Sequence, residues 1–145
     1  MSFEPVVVET RCDASPEKVW DALTNPHQVP QWFFNIQNFK AEVGRAFRFY
    51  ESSQKQFLHV IEVTDVDPLK MLQYSWSQPD YAQGKSQVTW ELIPEGEKTT
   101  VRLTHSNLEV FKDAGDMFAP ENFREGWTNI LNGGLKSFVE NSEPA

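Results

Sequence analysis

The sequence has a single cysteine and no long apolar run. Because Cys12 is the only cysteine among 145 residues, no disulfide can form within the chain. No stretch approaches the roughly 18 consecutive apolar residues that mark a transmembrane helix. No apolar segment follows a basic start, as it does in a secretory signal peptide. We therefore expect a cytoplasmic protein that does not insert into a membrane.

Basic residues are also scarce. The chain has 13 Lys and Arg against 21 Asp and Glu, which gives a formal net charge of −8. Proteins that bind nucleic acids or anionic membrane surfaces do so through clustered cations that contact phosphates. This balance argues against a nucleic-acid partner, and we expect none.

Motifs for metal binding and nucleophilic catalysis are missing. The three histidines, His27, His59 and His105, do not pair at a four-residue spacing, and no second cysteine could join them. The chain has no Gly-x-Ser-x-Gly and no phosphate-binding glycine loop. We predict no metal, no cofactor and no catalytic set, and we lean against an enzyme. Cys12 falls in a predicted strand, so we expect a buried, unreactive thiol.

Aromatic residues are abundant, with five Trp, eleven Phe and three Tyr, and they lie in patterned segments. Residues 3–13 are rich in β-branched side chains and predict a strand. Ser15 before Pro16 is typical of a helix start, and a second, very short helix leads to Trp32. Alternating strands follow, and Pro120 begins a long last helix. This order predicts one α+β domain over residues 1–145.

The alternation assigns one apolar face to the predicted antiparallel sheet. Its inward residues are Leu72, Tyr74, Trp76, Val88, Trp90, Leu92, Val101, Leu103 and His105. Two roles are open for His105: a core histidine bonded to its neighbours, or a polar contact for the carbonyl or hydroxyl of a ligand. The phenol of Tyr74 needs a partner if it is buried, and a ligand could supply one. His59 could face either side, because a bulge would reverse it.

Two adjacent glycines interrupt the last predicted helix. At about 100° per residue, Gly134 falls near the centre of an apolar stripe. The stripe consists of Phe123, Trp127, Ile130, Leu131 and Phe138. Either the helix kinks or stops at Gly133-Gly134, or it continues and the missing side chain leaves space. A neighbouring ring or a ligand cavity would use that space.

Five segments in the same order resemble a known family. They are SPEKVWDALTNP with the later QWF, VTDVDPLKMLQYSW, SQVTWEL, TVRLTHSNL and EGWTNILNGGLKSF. The chain resembles single-domain proteins of the AHSA1 family, which are similar to the C-terminal domain of the Hsp90 ATPase activator Aha1. This family belongs to the START-like, Bet v 1-like (SRPBCC) superfamily. The resemblance implies a helix-grip fold: a curved antiparallel sheet of six or seven strands around a long C-terminal helix, with two short helices after the first strand.

The resemblance implies a ligand cavity between the sheet and the last helix. The expected function is non-enzymatic binding of a small, mainly apolar ligand, lipid-like or aromatic. The candidate cavity residues are Trp32, Tyr74, Trp76, Trp90, His105, Trp127, Ile130, Gly134 and Phe138. Gly134 stands where the family's Gly-Trp-x-x-x-Leu-x-x-Leu helix has its second Leu. The loss of that side chain is expected to enlarge the cavity of this chain relative to other members or to admit a bulky neighbour.

Two further functions are implied by the resemblance. One is a chaperone-associated, Hsp90-activator-like interaction module with a role in stress response. The other is a cyclase- or hydrolase-type enzyme acting on polyketide-like substrates, which a His105–carboxylate pair inside the cavity would favour. We expect a monomer or a weak dimer.

Overall fold

A computed structural model describes residues 3–34, 36–50 and 58–141 of the chain. Its helices and strands, in chain order, are β1 (Val6–Cys12), α1 (Pro16–Thr24), α2 (Val29–Trp32), β2 (Ala46–Tyr50), β3 (Leu58–Asp67), β4 (Met71–Ser77), β5 (Ser86–Glu95), β6 (Lys98–Ser106), α3 (Pro120–Asn129) and α4 (Ser137–Asn141). Two 3₁₀ turns, Leu108–Phe111 and Asp116–Phe118, precede α3, and a π-helical segment, Ile130–Lys136, joins α3 to α4.

The described strands form one antiparallel sheet in the order β1-β6-β5-β4-β3-β2. From β2 to β6 each strand pairs with the next strand along the chain, whereas β1 pairs with β6, the last strand in sequence. The sheet is curved and faces the helix that runs from Pro120 to residue 141. This architecture confirms the predicted α+β helix-grip fold, with six strands in the described part of the chain.

The predicted inward face of the sheet is the buried face. Burial alternates along β4, β5 and β6 except at the last residues of β4 and β5, and every residue predicted to face inward is buried. His59 lies on the same face of β3, because the only irregularity between β3 and β4 falls later, between Val63 and Asp65. The segment QFLHVIEVTDV predicts this strand, and its first two residues, Gln56 and Phe57, lie outside the described residues.

Helix α1 begins as its sequence predicts. The Ser15 hydroxyl accepts a hydrogen bond from the Lys18 N–H at 3.2 Å, and Pro16 takes the first helical position. Helix α2 has only four residues, too few to be stable by themselves. It is fixed by tertiary contacts, among them the Trp32 Nε1–H, which donates to the carbonyl of Ala22 at 2.8 Å.

The terminal helix buries a different set of residues from the predicted stripe. Trp127, Leu131, Leu135 and Val139 are buried, at a regular spacing of four residues. Phe123, Ile130 and Phe138 of the predicted stripe are only partly buried.

The π-helical segment explains this difference. In an α-helix, each four-residue step turns a side chain by about 40° around the axis, because 3.6 residues make one turn. Over three such steps, a residue would leave the face that lies on the sheet. A wider π turn rotates each residue less and offsets the drift. Leu135 therefore takes the buried position that a regular helix would give to Gly134.

At Gly134 the terminal helix closely approaches Trp32 of α2, and no open space remains there. A Cβ at this position would lie 2.8 Å from the carbonyl oxygen of Trp32 and 3.6 Å from Cε3 of its indole. The helix does not stop at the glycines, since it continues to Asn141. Of the two expectations for Gly134, a larger cavity or a bulky neighbour, the structure has the neighbour: the backbone of α2 and the indole of Trp32 occupy that side. Gly133 has nothing within 4 Å of such a Cβ.

The two glycines are expected to respond oppositely to alanine. Gly134→Ala should lower the free energy of unfolding by about 1–3 kcal/mol, because it overpacks the contact with Trp32. Gly133→Ala should raise it by up to about 1 kcal/mol, because Ala loses less backbone entropy in a helix. Urea unfolding of both variants measures the difference. Equal effects would contradict the close approach at Gly134.

Candidate functional site

A cavity of about 270 Å³ lies between the sheet and the first half of the terminal helix. It is just below the volume of roughly 300–1,000 Å³ that is usual for small-molecule sites. The sheet contributes His59 and Trp76. The other lining residues that the structure describes, from the loops, a 3₁₀ turn and the terminal helix, are Phe34, Gln78, Met117, Phe118, Asn122, Phe123, Gly126, Trp127 and Ile130.

The cavity has a buried floor and an exposed mouth. Trp76 and Trp127 in the floor are each 3% exposed. Met117, at 56% exposure, marks the mouth together with the exposed residues Asn122 and Gly126. A ligand would therefore enter beside the start of α3 and meet aromatic rings at depth.

The indole N–H of Trp76, a residue of the floor, is unsatisfied. Among the described residues, Trp76 Nε1 is buried and has no hydrogen-bond partner. The indole N–H groups of Trp32, Trp90 and Trp127 all donate to protein acceptors at 2.8–3.0 Å. A buried donor without an acceptor costs about 1–3 kcal/mol. Trp76 lines the cavity, so a ligand whose acceptor atom reached this N–H would remove the cost.

His105 lies behind the cavity floor in a chain of hydrogen bonds. Trp127 Nε1–H donates to His105 Nδ1 at 3.0 Å, so the ring proton belongs on Nε2. His105 Nε2–H then donates to Ser86 Oγ at 2.7 Å, and this hydroxyl donates to the carbonyl of Trp76 at 2.7 Å. Burial lowers the pKa of His105 to about 3, which keeps the ring neutral. His105 is thus a core histidine, and both of its ring nitrogens are bonded to protein.

This arrangement does not activate Ser86 as a nucleophile. A histidine that removes a proton from serine must face the hydroxyl with its unprotonated nitrogen. Here the nitrogen that faces Ser86 carries the proton, and the other nitrogen is bonded to Trp127. The carboxylate partner that would favour the enzyme interpretation is not in this chain of bonds. Cys12 is buried too, and burial raises the pKa of its thiol to about 11.

Three other predicted residues surround a filled part of the interior. Trp32, Tyr74 and Trp90 line a void of about 10 Å³, at the lower limit for one water molecule. The Tyr74 hydroxyl accepts a hydrogen bond from Trp90 Nε1 at 2.8 Å, and burial raises the pKa of the phenol. The partner that Tyr74 needs is therefore Trp90 and not a ligand.

The structure brings three of the nine candidate residues to the cavity: Trp76, Trp127 and Ile130. Phe138 packs against the core at a partly buried position, and Gly134 lies against Trp32. The nine candidates therefore lie in or against the interior of the protein, and three of them line the cavity.

Sequence reasoning missed most of the cavity wall. Gly126 is the clearest omission, because the argument applied to Gly134 holds for it: it lies beside Phe123, Trp127 and Ile130 on the helix. A Cβ at Gly126 would have nothing within 4 Å. The other omitted lining residues are Phe34, His59, Gln78, Met117, Phe118, Asn122 and Phe123.

Within the described ranges, no group of three or more His, Cys, Asp or Glu side chains is arranged to hold a metal ion. No helix in those ranges is both long enough and apolar enough to cross a membrane.

A sequence model of the family described as activator of Hsp90 ATPase homolog 1-like protein (AHSA1) matches residues 13–140. The chain belongs to the AHSA1 family. No curated protein matches it. The match begins just after β1 and ends within α4, so it includes strands β2 to β6, the residues that line the cavity and nearly all of the terminal helix of this AHSA1 protein.

Solved structures share this fold over nearly the whole chain. Protein MLL2253 from Mesorhizobium loti is 27% identical, with a TM-score of 0.78 over 97% of this chain and 100% of its own. DynU16, a putative protein in the dynemicin biosynthetic locus, is 26% identical, with a TM-score of 0.74 over 97% of this chain and 49% of its own. The Aha1 dimer from Colwellia psychrerythraea shares the fold at 22% identity, with a TM-score of 0.75 over 97% and 98%.

The neutral His105 predicts a specific pH dependence of stability. Its pKa is about 3 in the fold against 6.5 as the reference value for an unfolded chain, so the unfolded state binds the proton first. The contribution of the neutral His105 ring to the free energy of unfolding is complete above about pH 6.5. It falls by about 1.4 kcal/mol per pH unit as the pH drops toward 3.

Urea unfolding of the wild type and of His105→Gln, from pH 7.5 to 4.5, isolates this contribution. Gln keeps a donor and an acceptor but does not titrate, and both proteins retain their other ionisable groups. The stability difference, wild type minus variant, should shrink as the pH falls below about 6.5. A difference that stays constant would show that His105 accepts a proton in the fold.

Proposed function

We propose that this protein binds a small, mainly apolar ligand, aromatic or lipid-like, in the cavity beside α3, and that it does so without catalysing a reaction. The observation that carries the proposal is a cavity of about 270 Å³ with aromatic walls and one buried, unsatisfied indole N–H. Largely apolar walls with a few placed polar groups are typical of small-molecule sites.

The walls supply enough contact for binding but not for high affinity. A ligand that buries about 250 Å² of apolar surface gains roughly 6 kcal/mol. Part of this gain is lost to the translational and rotational freedom that association removes. Apolar burial alone thus supports dissociation constants of about 40 μM or weaker, and a polar contact decides between similar ligands.

Ring geometry supports planar, aromatic ligands. Trp76 and Trp127 are 5.2 Å apart between ring centroids at an angle of 63°, and Phe34 lies 6.1 Å from Trp76. These rings present faces and edges that further rings pack against. DynU16, a relative of similar fold, belongs to a biosynthetic locus, which also fits a small-molecule role.

The family description favours a second candidate, a chaperone-associated module that contacts protein. The sheet surface gives it less support. The outward face of the described strands has polar rows, such as Gln73, Thr89 and Thr104 across three strands, and the ion pair between Arg102 and Glu9. An apolar docking surface of the kind that would favour a protein partner is not formed there. A cytoplasmic location and a monomeric or weakly dimeric state remain predictions.

Filling the cavity at Gly126 tests the proposal. A leucine here has space in the cavity and improves helix propensity, so the fold should remain stable. Gly126→Leu should weaken ligand binding at least tenfold. Gly133→Leu is the matched control, because Gly133 also has open space but lies away from the cavity.

The measurements are native mass spectrometry of purified protein and thermal shift against fatty acids, flavonoids and naphthalene derivatives. A copurified small mass, or a melting temperature that rises with ligand concentration, supports binding. The shift should disappear in Gly126→Leu and persist in Gly133→Leu. No bound mass and no shift with any compound would contradict the proposal and favour the protein-partner candidate.

A further inference from the structure

We propose that the ligand is an uncharged molecule with an accepting oxygen, and that Trp76 Nε1–H donates a hydrogen bond to this oxygen. Anionic amphiphiles such as fatty acids are then selected against. This inference rests on the proposed binding function and narrows its chemical class.

The first support is the state of the Trp76 indole. It is the one cavity-lining tryptophan whose N–H lacks an acceptor among the described residues, since the Trp127 N–H is committed to His105. Ligands without an accepting atom would leave this donor unsatisfied in the closed site. An ether, hydroxyl or carbonyl oxygen would satisfy it, so the site distinguishes an oxygenated ligand from a hydrocarbon of equal shape.

The second support is the lack of a fixed positive charge in the described part of the lining. None of the lining residues that the structure describes is Lys or Arg. Among them His59 is the only titratable side chain, and its ring is stacked on Phe49 at a centroid distance of 4.9 Å and an angle of 4°. A carboxylate that entered would leave water and find no guanidinium or ammonium among these residues, a cost that exceeds the gain from one hydrogen bond.

The third support is the charge around the mouth. Asp116, Glu121 and Glu125 are exposed and are each adjacent in sequence to a residue of the cavity mouth. The nearest cation along the helix, Arg124, donates to the carbonyl of Val7 at 3.1 Å. With a net charge of −8, the chain opposes the approach of anions over about one Debye length.

Three naphthalenes of similar shape separate these contributions. They are 2-ethylnaphthalene, which has no acceptor, 2-acetylnaphthalene, which has a neutral carbonyl, and 2-naphthoate, which is anionic. Equilibrium dialysis at pH 7.5 gives dissociation constants without using tryptophan fluorescence. The proteins are the wild type, Trp76→Phe, which keeps a ring but has no N–H, and Gly126→Leu, which fills the cavity.

In the wild type, 2-acetylnaphthalene should bind more tightly than 2-ethylnaphthalene, and 2-naphthoate should bind most weakly. Trp76→Phe should weaken the ketone relative to the hydrocarbon by about 2- to 10-fold, the factor that one neutral hydrogen bond supplies. The ketone-to-hydrocarbon affinity ratio is compared between the wild type and Trp76→Phe. The smaller ring of Phe affects the binding of both probes, so its effect cancels in this comparison. Gly126→Leu should weaken both neutral probes.

Each contrary result has a distinct meaning. If both neutral probes bind, Gly126→Leu blocks them and Trp76→Phe has the same effect on both, the inference is overturned while the proposed function stands. Tightest binding of 2-naphthoate would also overturn it and would indicate a cationic contact at His59. If no probe binds the wild type, or Gly126→Leu has no effect, both the inference and the proposed function are overturned.

A measurement on the wild type covers the case in which Trp76→Phe does not fold. In a ¹H–¹⁵N spectrum, the five tryptophans give five indole N–H signals. One of them should shift downfield on addition of 2-acetylnaphthalene and remain near its place with 2-ethylnaphthalene. Equal shifts with both probes would overturn the hydrogen bond.

Discussion

The hydrogen-bond chain through His105 is the interaction on which the site depends. It begins on the terminal helix at Trp127, passes through His105 on β6 and Ser86 on β5, and ends at the backbone of Trp76 on β4. Three adjacent strands and the helix are thereby joined at one depth in the core. Because every donor and acceptor in this chain is matched, a buried polar group that would otherwise destabilise the interior instead fixes its geometry. The two tryptophans at the ends of this hydrogen-bond chain, Trp76 and Trp127, both line the cavity floor.

Farther along the terminal helix, close packing and not a chain of side-chain hydrogen bonds holds the helix against the rest of the fold. The backbone of α2 approaches the helix so closely at Gly134 that a methyl group would not fit. The π-helical segment then brings Leu131 and Leu135 onto the sheet in register with Trp127. This half of the interior is filled, whereas the half beside α3 contains the cavity. The glycine that leaves space is therefore Gly126, near the mouth, and the glycine that permits contact is Gly134.

The sequence predicted the fold well and the site only in part, for a physical reason. Alternation in a strand reports which face is buried, so Tyr74, Trp90 and His105 were placed inward correctly. Burial alone does not say whether a polar atom meets protein or ligand. The partners of Tyr74 and His105 are 16 to 22 residues distant in sequence, and only the packed sheet reveals them. The π turn was likewise hidden, because a helical pattern assumes a constant rotation per residue.

Membership of the AHSA1 family establishes the fold of this protein but leaves its ligand chemistry to particular side chains. Trp76 shows how the two are connected. Its carbonyl accepts from Ser86 and so belongs to the structural core, while its indole N–H lacks a partner among the described residues. The other cavity-lining indole N–H, that of Trp127, has an acceptor in His105. The unsatisfied N–H of Trp76 lowers the stability of the fold, so selection for stability alone does not explain it. The hydrogen bond from Ser86 holds the backbone of Trp76, and close contacts with the rings of His59 and Trp127 hold its buried indole. Less ordering cost then remains for binding to overcome.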